Sequence, residues 1–307
     1  MPPVAGNRCS ARRRWADGRP LSYSWQRHTP YTSAPGDASS RTAEFDVLVV
    51  GAGITGSEAA WALARSGVRT LLVTTSLDTV YTLFEDRASL RPPQDSLMAR
   101  AVSAALRPGA DAGATLRAEV AGPAMDPRPS AGAPPPDEAV EVGAWALHRE
   151  VKVALESESN LHLLQSSVSG IIVDGGRVMG VSTWEGVDRL APAVALCVGS
   201  FLDARLRIGS SVEAAGRLSE MAYPDLYHDL AGRGFSFEAH VRDVEAVRGA
   251  LPYEVEFRTF APSERRQGSF ALPRVDGLYA AGTCVDAALG YEEAARHGME
   301  LAHGLIN

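Results

Sequence analysis

Three glycines near residue 50 are spaced like those of a turn that binds phosphate groups. They lie in segment 51–56, and Ala60 and Gly67 extend the spacing. In such a turn the first glycine permits a tight bend, the second lets a pyrophosphate approach the backbone, and the third lets a helix pack closely on a strand. N–H groups at the start of that helix would face the phosphates. The chemistry indicated is dinucleotide binding by Gly51, Ala52, Gly53, Ile54, Thr55 and Gly56.

The elements that must position this turn can be read on either side of it. Phe45–Val50 is a short apolar run rich in β-branched residues, as in a strand buried on both faces. A helical pattern follows as far as Gly67, which suits a helix C-cap, and Val68–Thr74 indicates a second buried strand. This order within residues 46–74 predicts the βαβ unit of a Rossmann fold. The alternative is a glycine-rich turn in an ordinary α/β protein.

The residue that usually binds the adenosine ribose departs from this pattern. An acidic residue is expected at the end of the second strand, but Thr74, Thr75 and Ser76 stand there. A hydroxyl can bond a ribose, although more weakly than a carboxylate does. We therefore assign Thr74 and Thr75 to the nucleotide site, and this position leaves the choice between cofactors open.

A closing segment, residues 277–306, has the form strand, glycine and helix. The strand runs into Gly282 and Thr283, and Gly290, Tyr291 and Glu292 open the final helix. Joined to an N-terminal fingerprint, this resembles the two-part FAD site of the glutathione-reductase-like flavoproteins. In that group the closing strand places a polar side chain near the ribityl–phosphate region, and the last helix points its N-terminus at the flavin.

The middle of the chain supplies further predicted strands. Residues 146–165 predict a helix and then a strand, and residues 167–183 predict a hairpin whose turn is Asp174-Gly175-Gly176. Val194–Phe201 predicts another buried strand, ended by Gly199, which we add to the site. The fold class expected is therefore α/β, a glutathione-reductase-like FAD-binding Rossmann fold with a mostly parallel sheet and a small β excursion.

Most of residues 45–302 resembles, segment by segment, the MnmG (GidA) family of FAD-dependent tRNA wobble-uridine modification proteins, and less closely its relative TrmFO. The matching segments are GAGITGSEAA, TLLVTTSLDTV, LHREVKVALESESNLHLLQ, IIVDGGRVMGV, VGSFLDARLRIG, AAGR and GLYAAGTCVDAALGYEEAA. The resemblance implies FAD as the cofactor, with contacts at residues 51–56, at Val168 through its backbone on the adenine side, and at Thr283. Thr283 replaces a family glutamine, so that contact is altered.

Three departures limit what the resemblance implies about activity. The family's cysteine-containing, glycine-rich segment is replaced by Tyr81–Pro93, and its second nucleotide domain is reduced to about Glu238–Leu251. Its C-terminal helical region has no counterpart before Asn307. We therefore expect the FAD half without the parts that handle NAD(P)H and tRNA. Contact with tRNA is implied by the resemblance alone, and the net charge of −7 does not favour it.

The predicted function is an FAD-binding flavoprotein related to this family, acting as an oxidoreductase on an unidentified substrate. Its electron donor would be NAD(P)H or a protein reductant. The alternative is a non-enzymatic FAD-binding or redox-sensing module that assists a full-length relative. No catalytic residue is assigned, because the sequence shows neither an acid–base pair nor an activated nucleophile.

Composition excludes several classes of protein. The 307 residues are 45% apolar and 22% charged, and no run approaches the roughly 18 apolar residues of a membrane span. Disordered, collagen-like and transmembrane proteins are thereby excluded. Cys9, Cys197 and Cys284 are too few and too scattered for a disulfide scaffold or a metal site, so a reducing, cytoplasmic setting is expected. Cys197 and Cys284 are expected to be buried, inert thiols.

Two stretches are predicted to lie outside the folded core. Residues 1–43 are rich in arginine, proline and serine without apolar periodicity, which predicts a disordered tail. An organelle transit peptide, a misplaced start codon and an RNA-contacting arm are alternatives for it. Residues 121–138 are proline-rich and predict a surface loop. The FAD-binding domain would then span residues 44–307.

The remaining polar residues carry weaker predictions. His148 and His162 are expected on the surface or as hydrogen-bonded core residues. Tyr223, Tyr227 and His228 form a patch that could line a substrate cleft. Glu292 and Glu293 suit the dipole of the last helix, and residues 263–266 indicate a solvated turn.

Overall fold

A computed structural model of the protein describes residues 43–107, 139–245 and 251–307. The predicted proline-rich loop at 121–138, and the predicted tail apart from Ala43, lie outside the described residues. Within the described ranges we number the strands β1–β16 and the helices α1–α5 along the chain.

A parallel sheet carries the glycine turn. Its strands are β1 (Val47–Val50), β2 (Thr70–Thr74), β5 (Leu161–Gln165), β9 (Ala193–Leu196) and β16 (Leu278–Ala280). They lie in the order β16-β9-β1-β2-β5, so that β1 pairs with β2 on one side and β9 on the other. Every residue of β1 and β2 is buried, as expected for central strands covered on both faces. The predicted βαβ unit is thereby confirmed.

Helices cover one face of this sheet. They are α1 (Ile54–Arg65), α2 (Leu97–Ala105), α3 (Ala144–Glu156) and α5 (Tyr291–Ile306). Val47 and Val49 of β1 pack into the core on the helical side, whereas Leu48 and Val50 pack on the opposite side. This alternation follows from the two-residue period of a strand. Gly67 follows α1 with φ +85°, as predicted for a residue that ends a helix.

An antiparallel sheet and a short helix cover the other face. The sheet is formed by β6 (Val168–Asp174), β7 (Arg177–Thr183) and β8 (Asp188–Leu190), and the helix is α4 (Pro224–Gly232). The turn between β6 and β7 places Gly175 at φ +55° and Gly176 at φ +81°. Positive φ at both central residues is the requirement of a tight two-residue hairpin, so the predicted hairpin is confirmed.

A larger antiparallel sheet was not predicted. It consists of β10 (Arg205–Ile208), β11 (Ser211–Glu213), β14 (Phe237–Val244) and β15 (Tyr253–Phe260), in the order β11-β10-β15-β14. It has its own core, to which Leu206, Val255 and Phe257 contribute. Two ribbons complete the described strands, β3 (Arg87–Leu90) with β4 (Val140–Gly143) and β12 (Ala215–Arg217) with β13 (Glu220–Met221).

None of the helices within residues 43–107, 139–245 and 251–307 combines the length and the apolar character of a membrane-spanning helix.

Candidate cofactor site

Gly51 makes the bend that follows β1. Its φ is +99°, and its N–H donates a hydrogen bond to the carbonyl of Val73 (2.7 Å). A Cβ at Gly51 would lie 2.5 Å from the carbonyl oxygen of Cys197, and one at Gly56 would lie 1.9 Å from that of Gly51. Both glycines are therefore required by the close approach of backbone to backbone.

Gly53 differs from these two glycines because nothing fills the space beside it. A Cβ there would meet no atom within 4 Å, and the residue is exposed. Gly53 is the N-cap of α1 with no side-chain cap, and the first turn of α1 carries no acidic residue. Its N-terminal N–H groups thus have no capping side chain, and the positive end of the helix dipole faces the opening. Such a helix end favours an anion.

The closing segment meets this turn directly. The Thr55 hydroxyl donates a hydrogen bond to the carbonyl of Ala294 (2.9 Å) in the first turn of α5. Gly282 has φ +80°, and a Cβ there would lie 2.5 Å from Thr55 Oγ1. Two segments separated by more than 200 residues are therefore clamped together at the edge of the sheet, as the two-part site predicted.

These segments line one opening, which we call the glycine cleft, with a volume of about 130 Å³. Most of the residues predicted from the sequence line it: Gly51, Ala52, Gly53, Ile54, Thr55, Thr74, Thr75, Gly199, Thr283, Gly290 and Tyr291. Residues from the fingerprint and from the closing segment therefore meet in one opening.

The other predicted residues lie off the wall of the glycine cleft. Gly56 and Gly282 allow the close packing described above. Val168 is fully buried in β6, in the core opposite the helices. The Glu292 carboxylate accepts a hydrogen bond from the N–H of Arg91 (2.9 Å). A role in cofactor binding stays a prediction for these four residues and for the eleven that line the glycine cleft.

Arg217 also lines the glycine cleft, although it was not among the site residues predicted from the sequence. Arg217 donates through Nη1 to the carbonyls of Thr82 (2.9 Å) and Leu83 (3.2 Å), and it forms an ion pair with Glu220. The side chains of Arg217 and Glu220 are only 13% and 10% exposed. The segment AAGR, which carries part of the family resemblance, contains Arg217 and was the available signal.

Of the predicted aromatic patch, only Tyr223 reaches the glycine cleft. It is buried and lies within hydrogen-bonding reach of Thr75, and burial raises the pKa of its hydroxyl. Tyr227 lies instead against the ring of Phe237, with centroids 5.0 Å apart, beside His228.

The thiols near the glycine cleft are not activated. Cys284 is fully buried, donates to the carbonyls of Leu196 (3.3 Å) and Ala281 (3.2 Å), and has a pKa raised by burial to about 12. Burial also raises the pKa of Cys197. Because the thiolate is the reactive form, both thiols are inert near neutral pH, as expected.

Two of the histidines considered in the sequence analysis differ in their surroundings. His148 is buried with Nδ1 2.6 Å from the carbonyl oxygen of Val80, which matches the expected hydrogen-bonded core histidine, whereas His162 is exposed. The described ranges contain no cluster of three or more His, Cys, Asp or Glu that could hold a metal ion.

Comparison with protein families and curated proteins agrees with this geometry. The model of the family described as Glucose inhibited division protein A matches residues 46–242. The tRNA uridine 5-carboxymethylaminomethyl modification enzyme MnmG of Lactiplantibacillus plantarum is 34% identical over 197 residues, covering 64% of this chain and 30% of that protein. The enzyme of the same name from Flavobacterium johnsoniae is 31% identical over 198 residues, covering 62% and 30%. The chain thus spans under a third of the length of these relatives.

Among solved structures, this chain matches a larger share of the other protein's length than it does among the curated relatives. The GidA-related protein from Thermus thermophilus superposes with a TM-score of 0.67 at 37% identity, over 86% of this chain and 99% of that one. Aquifex aeolicus GidA superposes with a TM-score of 0.66 over 85% of this chain and 63% of that one; at 18% identity it supports the fold alone. Because the family match over residues 46–242 spans more than half of the sequence, the protein belongs to the GidA family.

Proposed function

We propose that this protein binds FAD in the glycine cleft and is a flavin-dependent oxidoreductase whose substrate is not yet identified. The observation that carries the proposal is the clamp between the turn at Gly51–Thr55 and the N-terminus of α5. Membership of the GidA family supports FAD as the occupant.

The residues present suit an extended dinucleotide. The open side of Gly53 and the uncapped N-terminus of α1 would hold the pyrophosphate. Thr74 and Thr75, at the end of β2, would bond the adenosine ribose, and Val168 would contact the adenine side. Thr283 and the turn at Gly290 would face the flavin end. When bound, FAD supplies the electron transfer, while these residues bind it, orient it and shield it from water.

The relatives of this chain bear on two proposed partners, tRNA and the electron donor. The curated relatives are named for tRNA uridine modification, and this chain matches under a third of their length. We propose NAD(P)H or a protein reductant as the electron donor, residues 44–307 as the FAD-binding domain, and the cytoplasm as the location.

A non-enzymatic FAD-binding or redox-sensing module is the second candidate. It is favoured by the inert thiols beside the glycine cleft and by the ion pair that Arg217 forms with Glu220 in its wall. In the oxidoreductase the bound flavin would be reduced and reoxidised in a catalytic cycle, whereas in the non-enzymatic module it would not.

Visible absorption of the full-length protein tests the proposal. We expect FAD to co-purify, or added FAD to bind and show a flavin spectrum, and anaerobic NADH or NADPH to bleach it. Failure of FAD to bind would remove the proposed function. Binding of FAD without reduction by either nucleotide would favour the redox-sensing or binding module.

A gel shift with tRNA addresses the remaining partner. The full-length chain is incubated with total tRNA at low and physiological salt, and a GidA protein of full family length serves as the positive control. Absence of a shift at both salt concentrations would exclude tRNA as a direct partner of this chain.

A further inference from the structure

A second cavity adjoins the glycine cleft at the start of α5. Its volume is about 390 Å³, within the range of small-molecule sites. Phe84, Arg242 and the turn 289–291 line both openings, so the two are continuous. We call it the Arg242 cavity. A ligand in it would lie beside whatever occupies the flavin end of the glycine cleft.

Arg242, on β14, is the cation of this cavity. It is half-buried, with its guanidinium carbon 5.0 Å from the ring centroid of Phe84 and 5.8 Å from that of Phe257. Its Nη2 donates one hydrogen bond, to the carbonyl of Ala287 (3.2 Å). Among the described residues, no carboxylate forms an ion pair with it, whereas most other half-buried arginines there have such a partner. Arg242 therefore has donors left for an anion.

The partial burial of Arg242 strengthens that preference. Burial lowers the pKa of Arg242, although nearby Tyr291 and Glu85 oppose the shift. A partly desolvated guanidinium gains more from an anionic partner than an exposed one does, because water screens the interaction less. The rings of Phe84 and Phe257 beside it would contact an apolar body better than a hydrated one.

The rim of the Arg242 cavity limits which anion can enter. Glu85, Asp243 and Glu245 are exposed there, and Glu85 accepts a hydrogen bond from the Tyr291 hydroxyl. Three carboxylates repel a dianion such as phosphate more strongly than a monoanion, although water and salt weaken the effect. The charge pattern, with one cation inside and carboxylates outside, therefore favours a single negative charge on an otherwise uncharged molecule.

We propose that the Arg242 cavity binds an apolar monocarboxylate, with the carboxylate held by Arg242 and the apolar body against Phe84. Calling this ligand the substrate rests on the proposed function, since the cavity opens onto the flavin end of the glycine cleft. Binding of the ligand by the protein does not depend on that function.

Calorimetric titration with benzoate, at constant ionic strength, tests this proposal on the full-length protein with and without FAD. Benzamide is the uncharged probe of the same shape, and inorganic phosphate is the dianionic probe. We expect benzoate to bind saturably. Benzamide and phosphate should bind at least roughly tenfold more weakly, as the loss of a charge-assisted hydrogen bond implies. Arg242→Gln should weaken benzoate binding by a similar factor.

Arg207→Gln is the matched control, because Arg207 is an exposed arginine of the same sheet, on β10, and does not line the cavity. It should leave benzoate affinity unchanged. Should Arg242→Gln not fold, Arg242→Lys retains the charge, and the comparison of benzoate with benzamide on the unmodified protein still decides. Equal affinity for benzoate and benzamide, or no benzoate binding, would overturn the proposal. Benzoate binding by a protein that takes up no FAD would leave it standing while removing the proposed function.

Discussion

At the scale of single residues, the glycines of the fingerprint divide into two kinds. Gly51 and Gly56 have no room for a Cβ, since backbone atoms lie 2.5 Å and 1.9 Å from where it would be. Gly53 has open space beside it in the same turn. The first kind is needed for the protein to fold, and the second is free to serve a ligand.

Gly53→Ala should therefore separate binding from stability. We expect the variant to keep its fold and to bind FAD at least about tenfold more weakly, because the methyl group would occupy the path of the pyrophosphate. Gly143→Ala is a matched control, since Gly143 is also an uncapped N-cap with negative φ and open space beside it, at α3. Fluorescence titration with FAD measures the difference, and equal affinities would contradict the assignment.

The buried carboxylate of Glu58 has a structural role. It is fully buried in α1 and accepts hydrogen bonds from the Tyr81 hydroxyl (2.6 Å) and from the N–H groups of Leu97 and Met98 (both 2.8 Å) at the start of α2. Burial raises its pKa, and these hydrogen bonds oppose the rise. The carboxylate therefore joins α1, α2 and the segment before β3.

Glu58→Ala should lower the free energy of unfolding by about 3 kcal/mol, because three buried donors lose their acceptor. Urea denaturation measures the change. Glu156→Ala, at the exposed end of α3, should change stability by less than about 0.5 kcal/mol. Similar losses in the two variants would show that Glu58 has no special structural role.

At the scale of elements, α1 and α5 approach each other through a glycine. A Cβ at Gly298 of α5 would lie 2.4 Å from the carbonyl oxygen of Thr55 and 2.6 Å from the Cβ of Glu58. Backbone atoms cannot move aside as a flexible side chain can. The contact that brings the last helix to the glycine cleft therefore depends on the absence of a side chain at this position.

Substitutions at two glycines of α5 should act in opposite directions. Gly298→Ala should destabilise the protein by about 2 kcal/mol or more, since it separates α1 from α5. Gly304→Ala lies in the same helix with open space around it and should raise stability by up to about 1 kcal/mol through helix propensity. Thermal unfolding measures both, and a neutral Gly298→Ala would refute the close contact.

At the scale of the whole molecule, Glu264 joins the turn that follows β15 to Ser236 and to Arg274, which lies between β15 and β16. The sequence prediction of a solvated turn at residues 263–266 is wrong for this residue, whose side chain is 6% exposed. Glu264 accepts from the N–H of Ser236 (3.0 Å) and from Arg274 (3.1 and 3.2 Å). The charged residues at 263–266 indicated a solvent-exposed turn because the ion-pair partner of Glu264, Arg274, is not adjacent to it in sequence.

This ion pair makes stability depend on pH. Burial alone would raise the pKa of Glu264, but the hydrogen bonds from Arg274 and Ser236 lower it below its usual value of 4.5. A lowered folded-state pKa means that the stabilisation is present above about pH 4.5 and is lost as the pH falls through the folded-state pKa.

Glu264→Gln should therefore reduce the free energy of unfolding by roughly 1–2 kcal/mol at neutral pH, and the difference from the unmodified protein should shrink on acidification below about pH 4.5. Glu213→Gln, at an exposed position of β11, serves as the control and should show no such dependence. Urea unfolding at several pH values provides the measurement. A difference that is constant with pH would rule out the ion pair as its source.

Much of the parallel sheet could be predicted because its signals are local. A buried strand such as β1 is a continuous apolar run, and a bend such as that at Gly51 admits only glycine. The four-stranded sheet was not predicted, because residues 238–251, which contain most of β14, resemble a reduced form of the family's second nucleotide domain.

The family, the Rossmann fold and the glycine turn can be predicted from the amino-acid sequence, since backbone conformation and apolar patterning are properties of consecutive residues. The position of Arg217 and Arg242 at the same end of the molecule as Gly51 and Tyr291 is visible in the folded structure alone. The two arginines belong to antiparallel strands whose placement depends on how one sheet packs against another. Proximity of that kind leaves no mark on spacing along the chain, because it arises from packing between elements far apart in sequence.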